Sequence, residues 1–234
     1  MNLDINNLSK SFYHVPVFQS FSISIKSGER VGLFGPNGSG KTTLLKMISG
    51  IMSVDKGEIL IGNILQDSEN IKTRKSIYYL GHSLGLYPGL TGNENISFIS
   101  KLYGKSELLV LDVLKKVGLG KLENKLVKFY SQGMLQRLKL ATAIILNPEI
   151  ILLDEPFAGV DPISVGDIQK IIYQLRDKGI GVLITDHNYR EMLDTCDHSY
   201  VMHSGQIIAE GNKETILSNE DVKKVYLGET AGEH

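Results

Sequence analysis

Gly35-Pro36-Asn37-Gly38-Ser39-Gly40-Lys41-Thr42-Thr43 decides how the rest of the chain is read. The stretch fits G-x-x-x-x-G-K-[ST], the pattern of a phosphate-binding loop. Glycines let successive backbone N–H groups turn inward around a phosphate, where a Cβ would clash. Lys41 then reaches the β- and γ-phosphates, and the Thr42 hydroxyl is placed to ligate Mg²⁺. The flanks agree with this. Val31-Gly32-Leu33-Phe34 reads as a short buried strand, and residues 42–49 read as a helix whose N-terminus presents partial positive charge to the anion. An ordinary glycine-rich turn does not require the strand, the Lys-Thr pair and the helix together.

Outward from the loop, residues 2–8 and 17–25 alternate apolar and polar, most clearly in Phe21-Ser22-Ile23-Ser24-Ile25, which is a strand pattern. Gly57 to Gly62 reads as one arm of a hairpin, and Ile77-Tyr78-Tyr79-Leu80 as a further strand. From about Leu84 the pattern becomes helical. The sequence predicts helices over 93–103, from a Ser106 cap through Leu108, Leu109, Leu111 and Leu114, and over 131–146 with Leu135, Leu138, Ala141, Ile144 and Ile145 on its apolar side. The continuous apolar run Ile150 to Leu153 then reads as a parallel strand covered on both faces. A helix over 163–178, a strand over 180–185, a helix near 189–195, a hairpin around Ser204-Gly205 and short helices near 213–217 and 221–226 complete the chain. The predicted fold is α/β: a phosphate-loop core over 1–83 and 147–234, an N-terminal antiparallel β region, and an all-helical insert over about 84–146 forming a subdomain.

Composition narrows the function. A net charge of −1 gives no electrostatic footprint for nucleic acid, so no nucleic-acid partner is expected. Cys196 is the one cysteine, which leaves no disulfide framework and points to a reducing cytosol. The sequence shows no signal peptide and no apolar run near the ~20 residues that span a bilayer. Work at a membrane therefore calls for other chains to supply the spans. The last residues, 230–234, read as a frayed end.

Asp154-Glu155 closes the strand that ends at Leu153. A carboxylate at such a strand end faces the loop across the sheet and holds Mg²⁺, usually through water. Glu155, one residue on, is the candidate general base near the γ-phosphate. His187, just after Thr185, is placed to hydrogen-bond the γ-phosphate or the attacking water.

The ordered set of the loop, Tyr130-Ser131-Gln132-Gly133-Met134 before a helix, Leu152-Leu153-Asp154-Glu155-Pro156, Gly159-Val160-Asp161 and His187 resembles the nucleotide-binding subunit of ABC transporters. The resemblance covers essentially the whole chain. It implies a head-to-tail homodimer with two ATP molecules between the subunits, and two membrane-spanning partner subunits. It places the chain in the cytoplasm, against the inner membrane. Ser131 and Gly133 would contact the γ-phosphate held by the partner's loop, and Asp161 would belong to a segment communicating across the dimer. An aromatic residue upstream stacks on adenine in this family; by register that is Phe12, with Tyr13 the competitor. Two positions depart from the family pattern. His82 stands where the family has a glutamine ligand to Mg²⁺ and water, and Gln132 replaces a glycine of the signature.

The two halves suggest different transporters. From about Asn147 onward, segments 155–165, 183–188 and 225–229 resemble the ATPase of lipopolysaccharide-export transporters. Segments 79–86 and 131–138 look more like the ATPase of the haem exporter of cytochrome c maturation. Lipopolysaccharide export is the preferred expectation, and recombination near Asp154 would account for the split. A soluble non-transport ABC ATPase and a binding-only cassette stay open as readings of other classes.

Overall fold

The computed structural model describes residues 1–67, 69–81, 85–122, 124–187 and 189–224. His82 and the segment 225–234 lie outside the described residues, and so do the expectations placed on them.

The N-terminal strands β1 (Leu3–Phe12) and β2 (Val15–Ile25) form a hairpin, joined at Tyr13 and His14, with φ of 49° and 66°. Two consecutive left-handed residues match the twist of the flanking strands, as two-residue hairpin loops require. Burial in β2 alternates as its sequence predicts, with Phe21, Ile23 and Ile25 inside. The sheet is completed by β4 (Lys56–Ile61) and β5 (Ile64–Leu65), in the order β2-β1-β4-β5. A second sheet holds β3 (Arg30–Phe34), β6 (Ile77–Leu80), β7 (Ile150–Asp154), β8 (Gly181–Thr185), β9 (His198–His203) and β10 (Gln206–Gly211). Its order is β10-β9-β3-β8-β7-β6, parallel except for β10 against β9.

The central strands β3, β7 and β8 of this second sheet are buried on both faces, and strand alternation sorts their side chains. Ile150 and Leu152 pack toward the antiparallel sheet and α1 (Lys41–Ile48); Ile151 and Leu153 pack toward the other helices. Each such burial contributes roughly 1.5–3 kcal/mol. On the helical side lie α3 (Gly92–Leu102), α4 (Val110–Lys116), α5 (Gln132–Leu146) and α6 (Pro162–Asp177). Thr91 and Glu94 form a reciprocal capping box on α3. Ile96, Leu114, Leu138 and Ile144 from these helices share one apolar cluster with Ile151 and Ile184, so the helical segment is seated on the sheet.

The expected helix after Ser106 begins with a 3₁₀ turn, Glu107–Leu109, before α4. Val110, Val113 and Leu114 face inward, while Leu108, Leu109 and Leu111 are exposed, Leu108 to 90%. The sequence did not predict α2 (Ile71–Ser76), a single capped turn and a half that carries no apolar stripe. The remaining helices, α7 (Tyr189–Thr195), α8 (Lys213–Ser218) and α9 (Glu220–Val222), fall near their expected places.

Candidate nucleotide site

The loop 35–40 joins β3 to α1, and its glycines have separate reasons. A Cβ on Gly35 would lie 2.2 Å from the Met202 carbonyl oxygen of β9. Gly40 has φ 102°, and a Cβ there would meet Phe18 and Val17 at 2.7 Å. The first intrahelical bond of α1 runs from Leu44 N to Gly40 O at 2.9 Å, so the N–H groups of Lys41, Thr42 and Thr43 precede it, as at any helix start. The Ser39 Oγ is buried and has no hydrogen-bond partner among the described residues. Lys41 is 6% exposed and donates to Gly35 O at 2.7 Å and Pro36 O at 3.1 Å. Burial lowers its pKa, and the carboxylates of Glu155, Asp154 and Asp186 act in the opposite direction. An orphaned hydroxyl, three helix-start N–H groups and a desolvated ammonium all suit a polyphosphate.

Asp154 ends β7, with β8 between it and the loop strand β3. Its Oδ1 accepts from Thr42 Oγ1 at 3.1 Å and Thr185 Oγ1 at 2.9 Å, and its Oδ2 from the Tyr79 hydroxyl at 2.9 Å. The Thr42 hydroxyl and this carboxylate are hard oxygen donors of the kind Mg²⁺ takes together with phosphate and water, so the residues fit the ion. The sequence reading missed Tyr79. Two tyrosines stand side by side on β6, and only the strand's register, Tyr79 beside Leu152, decides which one turns to the loop side. Burial and the adjacent Asp154 push the Tyr79 phenol well above its usual range.

Glu155 adopts φ 53°, a left-handed conformation that costs a non-glycine residue about 1–2 kcal/mol. Its N–H donates to Thr185 O at 2.7 Å, which fixes the bend. Its side chain lines a cavity of about 260 Å³ with Phe12, Val17, Asn37, Gly38, Gly40, Lys41, Thr42 and Thr43. His187 Nδ1 lies 3.6 Å from Glu155 Oε1 and 3.4 Å from the buried Asp186 carboxylate, which also accepts from Phe157 N at 3.0 Å. Phe12 therefore stands at the loop, whereas Tyr13, 99% exposed in the hairpin turn, is not in the lining.

Ser131, Gly133 and Asp161 are not in that lining either. Ser131 caps α5, its exposed hydroxyl accepting from Met134 N at 3.3 Å. Asp161 caps α6 and accepts from Ser164 N at 3.0 Å, and this bond holds its carboxyl below the usual range. Gly133 is buried, and a Cβ on it would sit 2.5 Å from Ser164 Cβ and Oγ. Gly133 thus sets the close approach of α5 to α6, a packing demand that its place in the motif did not reveal. Gly133→Ala is expected to cost about 1–3 kcal/mol of stability, read as a lowered melting temperature. An unchanged melting temperature would mean that α6 slides to make room.

The family described as ABC transporter matches residues 18–158. The chain is similar to the lipopolysaccharide export system ATP-binding protein LptB of Haemophilus influenzae, 40% identical with 97% of each chain covered. It is 39% identical to the Escherichia coli protein of that name, again with 97% of each covered. Among solved structures it is similar to an ATP-binding cassette of an ABC transporter in its ADP conformation, with a TM-score of 0.85, 29% identity, and 98% of this chain and 100% of that one covered. A nucleotide-free ATP-binding cassette from an ABC transporter gives the same figures. The recombination expected from the two halves has no support here. One kind of relative aligns across 97% of the chain, through the middle as well as the end. Among the described residues no helix is long and apolar enough to cross a membrane. The chain belongs to the ABC transporter family, as an ATP-binding, ATP-hydrolysing subunit.

Proposed function

We propose that this chain powers lipopolysaccharide export. It would work as a homodimer docked on two membrane-spanning subunits at the cytoplasmic face of the inner membrane. The observation that carries the choice of transporter is the 40% identity to LptB over 97% of both chains. The net charge of −1 keeps nucleic acid out of the reading.

In this reading Lys41 and the N–H groups that open α1 bind the phosphates, and Phe12 packs on the adenine. Thr42 and Asp154 would hold Mg²⁺, which would supply neutralisation of phosphate charge. Glu155 accepts the proton of the attacking water, and His187 orients that water and the γ-phosphate. Ser131 and Gly133 of one copy close on the ATP held by the other, with Asp161 beside that contact. This fits their position away from the copy's own Lys41 cavity. The helical segment 84–146 acts as the lever toward the membrane partner. The exposed leucines Leu108, Leu109 and Leu111 and the edge-on Tyr87–Phe98 pair, 5.2 Å apart, support an apolar contact there.

The test is co-purification of the tagged chain with the membrane subunits of a lipopolysaccharide exporter and, separately, of a haem exporter. A stable complex and stimulated ATPase activity with the first alone is the expected result. Binding only to the second would overturn the proposal and make residues 79–86 and 131–138 the deciding segment.

A further inference from the structure

Tyr78 and Tyr79 point to opposite faces of the second sheet, as neighbours on a strand must. Tyr78 packs with the helical cluster. Tyr79 packs on the loop side and donates to Asp154 Oδ2 at 2.9 Å. Just beyond β6, the backbone of Gly81 lies against that phenol. A Cβ on Gly81 would be 3.0 Å from the ring Cζ and from the hydroxyl oxygen, so a side chain there would press on the ring. The Gly81 carbonyl in turn accepts from Lys139 Nζ at 3.0 Å. Lys139 lies on α5 about two turns beyond Ser131. It is 3% exposed, and Gly81 O is its hydrogen-bond partner among the described residues. Burying an ammonium is costly unless it is paired, and this one is committed to a backbone oxygen at the end of the strand that carries Tyr79.

We propose that Lys139 and Tyr79 are positioning residues that tie the seat of α5 to the metal carboxylate. Lys139 fixes Gly81, Gly81 confines the Tyr79 ring, and Tyr79 fixes Asp154. The N-terminus of the same helix carries Ser131. The inference rests on the reading of Asp154 as the Mg²⁺ carboxylate.

The experiment is a Mg²⁺ titration of the binding of a fluorescent ATP analogue to the full chain. Tyr79→Phe, which loses only the hydroxyl, should raise the Mg²⁺ midpoint about tenfold and leave metal-free nucleotide affinity within about twofold of the parent's. Lys139→Met should move the midpoint in the same direction. The two changes together should do no more than the larger alone, because they act in series. Lys139→Arg, which keeps a donor, should recover most of the shift. A Lys139→Met variant that lowers the melting temperature but leaves the Mg²⁺ midpoint in place would overturn the inference, as would additive effects. If Lys139→Met fails to fold, Gly81→Ala replaces it. Its methyl makes the Tyr79 ring give by a few tenths of an ångström, which should raise the midpoint, and an unmoved midpoint would again overturn the link. Asp154→Asn separates the two levels. If it leaves the midpoint unchanged, the reading of Asp154 itself fails; if it alone shifts the midpoint, only the link fails.

Discussion

Lys41→Ala is expected to weaken ATP binding at least a hundredfold, measured by equilibrium titration with a fluorescent analogue. The Lys41 ammonium is buried beside the loop and donates to Gly35 O and Pro36 O. Turned to phosphate, it makes charge-assisted bonds in a place that water barely reaches. Each such bond contributes about 1.5–3 kcal/mol, and two of them correspond to a factor of roughly 100 or more in affinity. The alanine also removes the stem that ties the two loop carbonyls, so melting curves should accompany the titration. Lys41→Met keeps the volume of the stem and isolates the charge. If both variants bind ATP as the parent does, the loop does not hold phosphate through this residue.

Glu155→Gln should leave ATP affinity close to that of the parent and reduce turnover by about 10²–10⁴, the usual contribution of a positioned general base. The substitution keeps shape and removes the charge that accepts a proton. The bend at Glu155 is held by its own N–H to Thr185 O, so the left-handed backbone does not depend on the carboxylate. His187 Nδ1, 3.6 Å from Oε1, keeps a polar neighbour in the amide. With ATP bound but not consumed, the closed dimer should accumulate, which size-exclusion chromatography in MgATP reads directly. Parent-level turnover in this variant would remove Glu155 from the chemistry. A monomer profile with full ATP occupancy would remove the sandwiched dimer.

Much of this was legible in the sequence because burial marks it: a half-buried strand by its alternation, a strand covered on both faces by an unbroken apolar run. The alternation in Phe21 to Ile25 and the unbroken run Ile150 to Leu153 appear as expected, whereas α5, expected to have one apolar side, is buried all round from Leu138 to Leu146. The loop 35–43 was legible because its chemistry depends on residue types at fixed spacing. What escaped depends on contacts made at long range. No local pattern tells Tyr79 from Tyr78, because the difference is which face β6 turns toward Asp154. Gly133 reads as part of a motif, yet its lack of a side chain is demanded by Ser164, 31 residues further on by number. The six residues of α2 carry a cap at Asn70 but no stripe to mark them.

The place of β3 in its sheet has a consequence for how the protein comes into being. Its hydrogen-bonded neighbours are β8 and β9, which span residues 181–203, while β3 itself ends at Phe34. On the ribosome, the phosphate loop is thus made early and framed late. At about 5–20 residues per second, the nascent strand waits several seconds or more, with an apolar run and unpaired edges, before its partners emerge. A chain interrupted before residue 181 carries every residue from Gly35 to Thr43 and still lacks both strands that hold β3 in place. The strands that frame the phosphate loop are therefore among the last the growing polypeptide acquires, and a product truncated before residue 181 lacks them.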